Sequence, residues 1–410
     1  MVELGQQAKA AARHVARASS AARNEALVRS ADLLEQRIEP LLAANRTDLE
    51  RAEQAGADAT SLDRLHLDAG RVGAMATGLR TVAALPDPVG EVVEGWVRPN
   101  GLRIERVRVP LGVVGIIYEN RPNVTSDAAG LCLKSGNAVL LRGSSSSVAT
   151  NAVIAAAIRD GLDKAGLPVD ALGLVEDTSR AAAVSFMQLE GIIDCLIPRG
   201  GPALVASVRE HATVPFVLDG AGNCHLYVDR HADLTMAESI VVNAKTQRPG
   251  VCNSAETLLV HRAVAEAFLP RVAASLSGVT LVGDAATRAV LPGIGEATDE
   301  DFATEFLGLT LAVGVVDDLD GAIDHIARFG SGHSEAIVTA DLATANRFTS
   351  EVDAAAVLVN ASTRFIDGEE LGLGAEIGIS TQKLHARGPM GLRDLTSIRY
   401  VVTGNGQVRS

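Results

Sequence analysis

One cysteine, Cys252, stands where a reactive thiol could be placed. It lies in the stretch TQRPGVCNSAETLLV (residues 246–260), between a polar, turn-forming run and an apolar run. The preceding Pro-Gly pair ends any helix that arrives from the N-terminal side. Two cations, Lys245 and Arg248, are close in sequence, and nearby cations lower a thiol's pKa and favour the nucleophilic thiolate. Taken alone, the stretch suits either a nucleophile or a small buried hydrophobe.

The other three cysteines suggest no competing chemistry. Cys132, Cys195 and Cys224 show no CxxC pairing and no zinc spacing, so we predict reduced thiols, no metal and a cytoplasmic location. We assign these three to the faces of α/β sheet elements and expect buried or idle thiols. A cysteine hydrolase fits poorly, because neither His225 nor His261 has an acidic residue in the pattern of a catalytic partner.

Length and composition predict a folded α/β protein of two or three domains. The chain has 410 residues, of which 47% are apolar, 21% charged and only 3% aromatic. Its core must therefore consist of Ala, Val, Leu and Ile, which suits β-branched strands covered by Ala- and Leu-rich helices. The net charge of −13 argues against a nucleic-acid binder or a membrane-surface protein. No apolar run approaches the ~20 residues of a membrane span, and the N-terminus lacks the apolar core of a signal peptide.

The first part of the chain is predicted to be helical and to end in a hairpin. Residues 1–80 have helical periodicity, with breaks predicted at Asn45, at Asp48 and at 56–58. From 91 to 109, apolar and polar residues alternate around a Pro-Asn-Gly turn, which indicates a hairpin with one solvated face.

The rest of the chain alternates strands and helices, which is typical of parallel, doubly wound sheets. In the first such unit, the segment VPFVLDG (214–220) continues the alternation and HLYVD (225–229) closes it. A second unit follows, and the chain ends in a strand, SIRYVVTG. We therefore predict an α/β protein with two doubly wound domains and a small β element. The predicted boundaries are 1–90 with 111–230, 231–384, and 91–110 with 385–410.

No glycine-rich dinucleotide fingerprint is present. The nearest glycine clusters, GSGHSE and GLGAEIG, lack the GxGxxG spacing. A doubly wound sheet without it leaves two possibilities: another phosphate-binding device or no dinucleotide.

Three segments in order resemble the aldehyde dehydrogenase superfamily: PLGVVGIIYENRPN, SGNAVLLRGSSSS and NAKTQRPGVCNSAETLLV. Within it, VDDLDGAIDHIARFGSGHSEAI (316–337) resembles the signature of the γ-glutamyl phosphate reductase family, and IPRGGPALV and GNCHLYVD fit the same family. The resemblance covers nearly the whole chain. It implies an aldehyde-dehydrogenase-like fold and NADPH-dependent reduction of L-glutamyl 5-phosphate to L-glutamate 5-semialdehyde, with release of phosphate, in proline biosynthesis.

The resemblance also implies roles for individual residues. Cys252 becomes the nucleophile that forms a thioester. Asn120, in YENRP, occupies the position of the side-chain amide that stabilises the tetrahedral oxyanion, with the Cys252 N–H as the second donor. Without the resemblance, Asn120 would be a turn-forming residue.

The implied cofactor, NADPH, would bind to the segment 1–90 with 111–230, and the nucleophile would belong to the domain 231–384. An arginine and serine hydroxyls after the second strand suit a 2′-phosphate, and the glycines of IPRGG could present N–H groups to the pyrophosphate. Without the resemblance, the serines could be helix N-caps, the glycines of IPRGG a plain turn, and Glu305 a surface acid. The residues expected to bind the cofactor are Arg142, Gly143, Ser144, Gly200, Gly201 and Glu305.

Cationic and polar side chains near the family motifs are the expected partners of the anionic substrate. The sequence does not decide which of them bind the phosphate and which bind the amino-acid head, and one of them, His333, could equally be structural. The residues expected to bind the substrate are Arg121, His333, Ser334, Ser362 and Arg364.

One position departs from the hydrolytic members of the superfamily. They carry a glutamate that activates water in the strand before a Gly-Gly pair, and here Leu218 aligns with it. Asp219, the next residue, should turn to the opposite face of a strand. Leu218 is therefore consistent with a reductase. The alternatives are a hydrolytic aldehyde dehydrogenase and a catalytically idle scaffold for the preceding kinase, glutamate 5-kinase.

The hairpin at 91–110 and the C-terminal strand resemble the superfamily's oligomerisation elements. A two-stranded ribbon has little stability by itself, so we expect it to pair with another sheet and the chain to form a homo-oligomer.

Overall fold

The computed structural model describes residues 1–409, with every side chain among them except that of Thr60. The chain forms two compact units. The first comprises 1–218, 372–378 and 390–409, and the second comprises 219–371 and 379–389. Within the described range, no helix has the length and apolar character needed to cross a lipid bilayer.

Five helices open the first unit: α1 (Val2–Val15), α2 (Ser20–Gln36), α3 (Ile38–Gln54), α4 (Ala59–Leu65) and α5 (Ala69–Ala84). The prediction of breaks at Asn45 and Asp48 is wrong, because α3 runs through both. Their side chains are buried and make tertiary contacts instead. Asn45 accepts a hydrogen bond from the Leu67 N–H at 2.8 Å, and Asp48 accepts one from the Thr150 N–H at 2.8 Å. These bonds satisfy the polar groups inside the unit.

A hairpin and a small parallel sheet complete the first unit's main segment. Its elements are β1 (Val92–Val97), β2 (Arg103–Pro110), β3 (Val113–Tyr118), α6 (Asn123–Lys134), β4 (Ala138–Arg142), α7 (Val148–Lys164), β5 (Leu172–Leu174), α8 (Arg180–Met187), β6 (Cys195–Arg199) and α9 (Pro202–His211). The strand order is β5-β4-β3-β6, and every pair is parallel. Every residue of β3 is buried, as expected for a strand covered on both faces.

The segment VPFVLDG (214–220) does not form the predicted strand. Two of its residues make isolated bridges instead: Phe216 pairs with Leu196 of β6, and Asp219 pairs with Ser380. The apolar residues still pack, because Val214 and Leu218 lie in the core of the first unit. The apolar pattern of this segment therefore reflects burial in the core and not membership of a strand.

The second unit is built on a seven-stranded sheet. Its elements are β7 (Cys224–Val228), α10 (Leu234–Thr246), β8 (Ala255–His261), α11 (Arg262–Ser275), β9 (Thr280–Gly283), α12 (Ala285–Val290), β10 (Gly295–Glu296), α13 (Asp299–Phe302), β11 (Thr310–Val316), α14 (Leu319–Phe329), β12 (Ser334–Val338), α15 (Leu342–Glu351) and β13 (Ala356–Val359), followed by the antiparallel pair β14 (Ile379–Ser380) and β15 (Gly388–Pro389). The order is β10-β9-β11-β8-β7-β12-β13, and all pairs are parallel.

The prediction that HLYVD closes the first sheet is wrong, because β7 lies between β8 and β12 in the second sheet. Successive residues of the central strands point to opposite cores, as the twofold period of a strand requires. On β7, Leu226 and Val228 pack with α10 and α11, whereas Tyr227 packs with α14 and α15. Helices therefore cover both faces of the sheet, and the predicted doubly wound α/β fold is confirmed.

The last strand, β16 (Thr396–Thr403), pairs with β2 to give the antiparallel sheet β1-β2-β16 in the first unit. This sheet carries exposed apolar side chains: Trp96 is 37% exposed, Val97 69% and Tyr400 61%. The roles predicted for the segments, namely NADP binding, catalysis and oligomerisation, remain predictions.

Candidate active site

Several predicted site residues of the second unit lie at one edge of its sheet. Because all seven strands are parallel, their amino ends share that edge. Cys252 lies just before β8, Glu305 lies before β11, and His333 directly precedes β12. Gly222, just before β7, joins them at this edge.

Cys252 occupies a turn between α10 and β8 and is half-buried. The other three cysteines are buried, as expected from the sequence. Burial raises the pKa of Cys195 to about 12 and raises the pKa of Cys132 and of Cys224 well above the ordinary thiol value. A thiol with a raised pKa is protonated and a weak nucleophile. Among the described cysteines, only Cys252 is open to a reaction partner.

Two hydrogen bonds fix the turn that carries Cys252. The side-chain amide of Asn253 donates to the Ile366 carbonyl at 2.8 Å, and the Thr363 hydroxyl donates to the Asn253 carbonyl at 2.7 Å. The short 3₁₀ helix Thr363–Phe365 is thereby held against the residue that follows the thiol.

The opposite side of the turn rests on the segment before β7. A Cβ added to Gly222 would lie 1.6 Å from the carbonyl oxygen of Cys252. The buried Cys224 thiol donates to the same carbonyl, with an S···O distance of 3.2 Å. The glycine and the thiol therefore set the position of the Cys252 backbone. Sequence reasoning missed both, although GNC stands inside a family-like segment.

The cation predicted from Lys245 is not available to the thiol, and that interpretation is wrong. Lys245 is fully buried and forms an ion pair with the fully buried Glu256, whose pKa burial raises to about 7. The second oxygen of Glu256 accepts the Leu307 N–H at 3.2 Å. Leu307 itself has a φ of 51°, a conformation uncommon for a bulky residue.

A different cation acts on Cys252. Burial lowers the pKa of the Arg364 guanidinium, the neighbouring Arg248 charge lowers it further, and the Cys252 thiolate raises it. Arg364 is half-buried, and its Nε donates to the Gln247 side-chain carbonyl at 2.8 Å. The Ser362 hydroxyl, which is buried, accepts the Arg364 N–H at 3.3 Å.

His333 and Ser334 are both fully buried. The His333 Nδ1 lies 2.8 Å from the Ser334 hydroxyl and 3.7 Å from the Cys224 sulfur, so the imidazole borders the thiol that supports Cys252. Burial lowers the pKa of His333 to about 4, which keeps the ring neutral at pH 7. Its Nε2 is buried without a hydrogen-bond partner.

Glu305 is the third predicted residue at this edge. Its carboxylate accepts the Gly222 N–H at 2.7 Å, and burial raises its pKa, with the Asp219 charge adding to the shift. Asp219 in turn accepts the Ile379 N–H at 2.9 Å. Glu305 thus contacts the glycine on which the Cys252 backbone rests.

In the first unit, the predicted residues follow the carboxyl ends of β3, β4 and β6, where doubly wound sheets bind ligands. Asn120 follows β3 with a φ of 40°. Its Oδ1 accepts hydrogen bonds from the hydroxyls of Ser144 and Ser146. With the oxygen so occupied, the Nδ2 hydrogens remain as donors. Arg121 is the next residue and is half-buried.

Arg142 ends β4 and is held by backbone carbonyls. Its Nη2 donates to the carbonyls of Thr178 and Ser179, while its Nε is buried without a partner. Burial lowers its pKa, and the Asp177 and Glu119 charges oppose that shift. Next to it, a Cβ on Gly143 would lie 2.3 Å from the Asn151 amide nitrogen, so a side chain there would have to displace this buried amide.

Gly200 and Gly201 link β6 to the N-terminus of α9, as predicted. The Gly201 N–H is not free, however, because it donates to the Glu119 carboxylate at 2.9 Å. A carboxylate at this position satisfies the positive end of the helix. The glycines are nonetheless exposed.

Comparisons with known proteins agree with this fold and these motifs. Residues 3–298 match the aldehyde dehydrogenase family. The chain is 56% identical over 407 residues to a gamma-glutamyl phosphate reductase of Moorella thermoacetica, with 99% of this chain and 97% of the relative covered.

Solved structures give the same answer. The crystal structure of gamma-glutamyl phosphate reductase from Thermotoga maritima superposes with a TM-score of 0.98 at 46% identity, covering 100% of this chain and 99% of that one. The Saccharomyces cerevisiae structure of that name is 30% identical with a TM-score of 0.55, covering 100% and 98%. The chain therefore belongs to the aldehyde dehydrogenase family and, within it, to the γ-glutamyl phosphate reductases.

Proposed function

We propose that this oxidoreductase reduces L-glutamyl 5-phosphate to L-glutamate 5-semialdehyde with NADPH, releasing phosphate, in proline biosynthesis. The observation that carries the proposal is the half-buried Cys252 thiol in a chain of this family, held by contacts to its own backbone and to the residue after it. The other thiols are buried and cannot meet a substrate.

In the proposed reaction, the Cys252 thiolate attacks the acyl carbon. The C–O bond to phosphate breaks, and a thioester forms. Asn120 and the Cys252 N–H stabilise the oxyanion at this step and again when the thiohemiacetal forms and collapses to the semialdehyde and the free thiolate. The two serine hydroxyls on the Asn120 oxygen support this role, since they leave the amide N–H groups to donate.

NADPH, when bound, supplies the hydride. We assign its 2′-phosphate to Arg142 and Ser144, because Arg142 carries a positive charge without an ion-pair partner in the described chain and has an unpartnered Nε. Gly143 allows close backbone approach. The pyrophosphate is assigned to Gly200 and Gly201, where Glu119 occupies one donor and must move aside. Glu305 is assigned to the nicotinamide ribose.

The anionic substrate is assigned to Arg121, Ser362 and Arg364. His333 and Ser334 are buried, so their assignment to the substrate requires a conformational change or an indirect role through Cys224. Leu218 supports reduction over hydrolysis, because it is buried in an apolar core and offers no base to activate water.

We further propose a homo-oligomer that forms through the sheet β1-β2-β16, whose apolar side chains are exposed in the single chain. The four free cysteines support a reducing, cytoplasmic compartment. Glutamate 5-kinase, which supplies the unstable acyl phosphate, is the proposed partner.

The reverse reaction tests the function: semialdehyde, NADP⁺ and phosphate should give NADPH, and omission of phosphate should abolish turnover. Cys252→Ser should reduce kcat by at least ~10³-fold, and Asn120→Ala by ~10²–10³-fold. Turnover that continues at the same rate without phosphate would identify a hydrolytic aldehyde dehydrogenase. Full activity in Cys252→Ser would contradict the proposed thioester intermediate.

A further inference from the structure

Two arginines beside the nucleophile have no carboxylate partner. Within the described range, Arg248 and Arg364 form no ion pair, and the Arg364 Nε instead donates to the neutral Gln247 amide oxygen at 2.8 Å. Asp367 and Glu370 act on Arg364 only through longer-range charge. Two guanidinium groups close to each other repel, so the pair favours an anion that neutralises both.

The backbone places this pair next to the thiol. Arg364 lies between Thr363, which donates to the Asn253 carbonyl at 2.7 Å, and Ile366, whose carbonyl accepts the Asn253 amide at 2.8 Å. Arg364 is therefore fixed beside the residue that follows Cys252. Arg248 is exposed and lies on the approach to the same turn, directly after Gln247.

We propose that Arg364 and Arg248 form the subsite for the phosphate group of the acyl phosphate. This inference rests on the proposed function and decides which substrate group the arginines take. The phosphoryl oxygen is bonded to the carbon that the sulfur attacks, whereas the α-carboxylate lies at the far end of the glutamyl chain. The phosphate also carries two negative charges, which match two guanidinium groups.

The proposed subsite has a negatively charged partner at each stage of the reaction. Before attack, the Arg364 charge interacts with the Cys252 thiolate. As the S–C bond forms and the C–O bond breaks, the phosphate leaves with the bonding electron pair and takes a proton from solvent to become HPO₄²⁻. The sulfur is then neutral, and the negative charge beside the arginines resides on phosphate. In the reverse direction, the same pair holds inorganic phosphate for attack on the thioester.

The test uses the reverse reaction with Arg364→Gln, Arg248→Gln and Arg364→Lys. For Arg364→Gln we expect the KM for inorganic phosphate to rise on the order of tenfold to a hundredfold, with a smaller rise for the other two and a KM for the semialdehyde that changes much less. Arg230→Gln is the matched control, since Arg230 is exposed past the carboxyl end of β7, at the opposite edge of the same sheet. It should retain the wild-type KM for phosphate.

Phosphate protection of Cys252 from iodoacetamide, without other substrates, gives a second readout that does not depend on turnover. The half-protecting concentration of phosphate should rise in Arg364→Gln. The proposal is overturned if the phosphate KM and this concentration both match those of Arg230→Gln, or if the KM for the semialdehyde rises instead, which would assign the pair to the α-carboxylate. If the wild-type enzyme turned over at the same rate with and without phosphate, the proposed function itself would be wrong. This measurement on the wild type comes before any variant is made.

Discussion

Gly222 and Cys252 are in such close contact that no side chain fits between them. A Cβ on Gly222 would lie 1.6 Å from the Cys252 carbonyl oxygen and 2.5 Å from its Cα. Both distances are far below van der Waals contact, and the obstructing atoms are backbone. The segment before β7 therefore packs directly against the backbone of the turn that carries the nucleophile. The position of the sulfur thus depends on a residue distant in sequence.

The variant Gly222→Ala tests this dependence. The methyl group must push the Cys252 backbone by more than an ångström, and a misplacement of that size costs roughly 100-fold in rate. We expect kcat to fall by about that factor while circular dichroism retains the native helix and strand signal. Gly250→Ala is the control in the same turn, because its Cβ would lie 3.8 Å from the Leu307 oxygen, an ordinary contact. Equal activity of the two variants would contradict the role of Gly222.

The Cys224 thiol makes the second contact with the Cys252 carbonyl, at an S···O distance of 3.2 Å. Cys224→Ala removes this hydrogen bond, and a typical hydrogen bond contributes about 0.5–1.5 kcal/mol, whereas Cys224→Ser retains a hydroxyl donor. We expect kcat/KM to fall roughly tenfold in the alanine variant and less in the serine variant. The alkylation rate of Cys252 by iodoacetamide, measured against pH, separates a displaced nucleophile from lost substrate binding.

Cys132→Ala is the control for Cys224. It removes another fully buried thiol, from the first unit, and should leave the alkylation profile of Cys252 unchanged. A profile that changes equally in both variants would show that thiol loss acts through general destabilisation and not through the contact with Cys252.

Much of this molecule could be predicted from local pattern. The strands and helices of both units follow from hydrophobic period, and the context of Cys252 identified the thiol that proves to be the half-buried one. The hydrophobic period gives a wrong prediction where a segment packs in the core without joining a strand ladder, as at Leu218. It also does so where polar residues inside a helix form hydrogen bonds with distant groups, as at Asn45 and Asp48. In each case the deciding partner is far away in sequence.

The electrostatics of the site show the same limit. Lys245 is close to Cys252 in sequence, but folding buries it against Glu256 across the intervening turn. Arg364, more than a hundred residues away, brings its charge to the sulfur because Thr363 binds the Asn253 carbonyl. No sequence pattern distinguishes a buried, neutralised lysine from one that is free to act.

In the buried pair of Lys245 and Glu256, each charge compensates the other, so we expect the loss of one charge to destabilise the fold more than the loss of both. Glu256→Gln leaves an uncompensated ammonium group in a fully buried place, which costs about 3–5 kcal/mol. The double variant Lys245→Met/Glu256→Gln removes both charges and should recover most of that loss. The midpoint of urea unfolding measures both effects. A double variant less stable than the single one would show that the ion pair itself is the stabilising element.

The half-buried histidine His325 makes the stability of the second unit dependent on pH. Its ring packs edge-on against Phe302, with a centroid distance of 4.8 Å, and neither ring nitrogen has a hydrogen-bond partner. Burial, followed by the His225 ring nearby, lowers the pKa of His325 to about 3 from its ordinary 6.5. The unfolded chain therefore binds a proton below pH 6.5 that the folded chain does not bind until about pH 3. The stabilisation is complete above pH 6.5 and declines as the pH falls.

His325→Phe removes this proton and retains an aromatic ring against Phe302. We expect the free energy of unfolding of the wild type to fall by about 1–2 kcal/mol more than that of the variant between pH 7.5 and pH 5. Urea unfolding across this range measures the difference. The comparison at pH 7.5, where the histidine is neutral in both states, isolates the packing change. Parallel pH profiles for the two proteins would show that His325 is protonated in the fold and would contradict the burial argument.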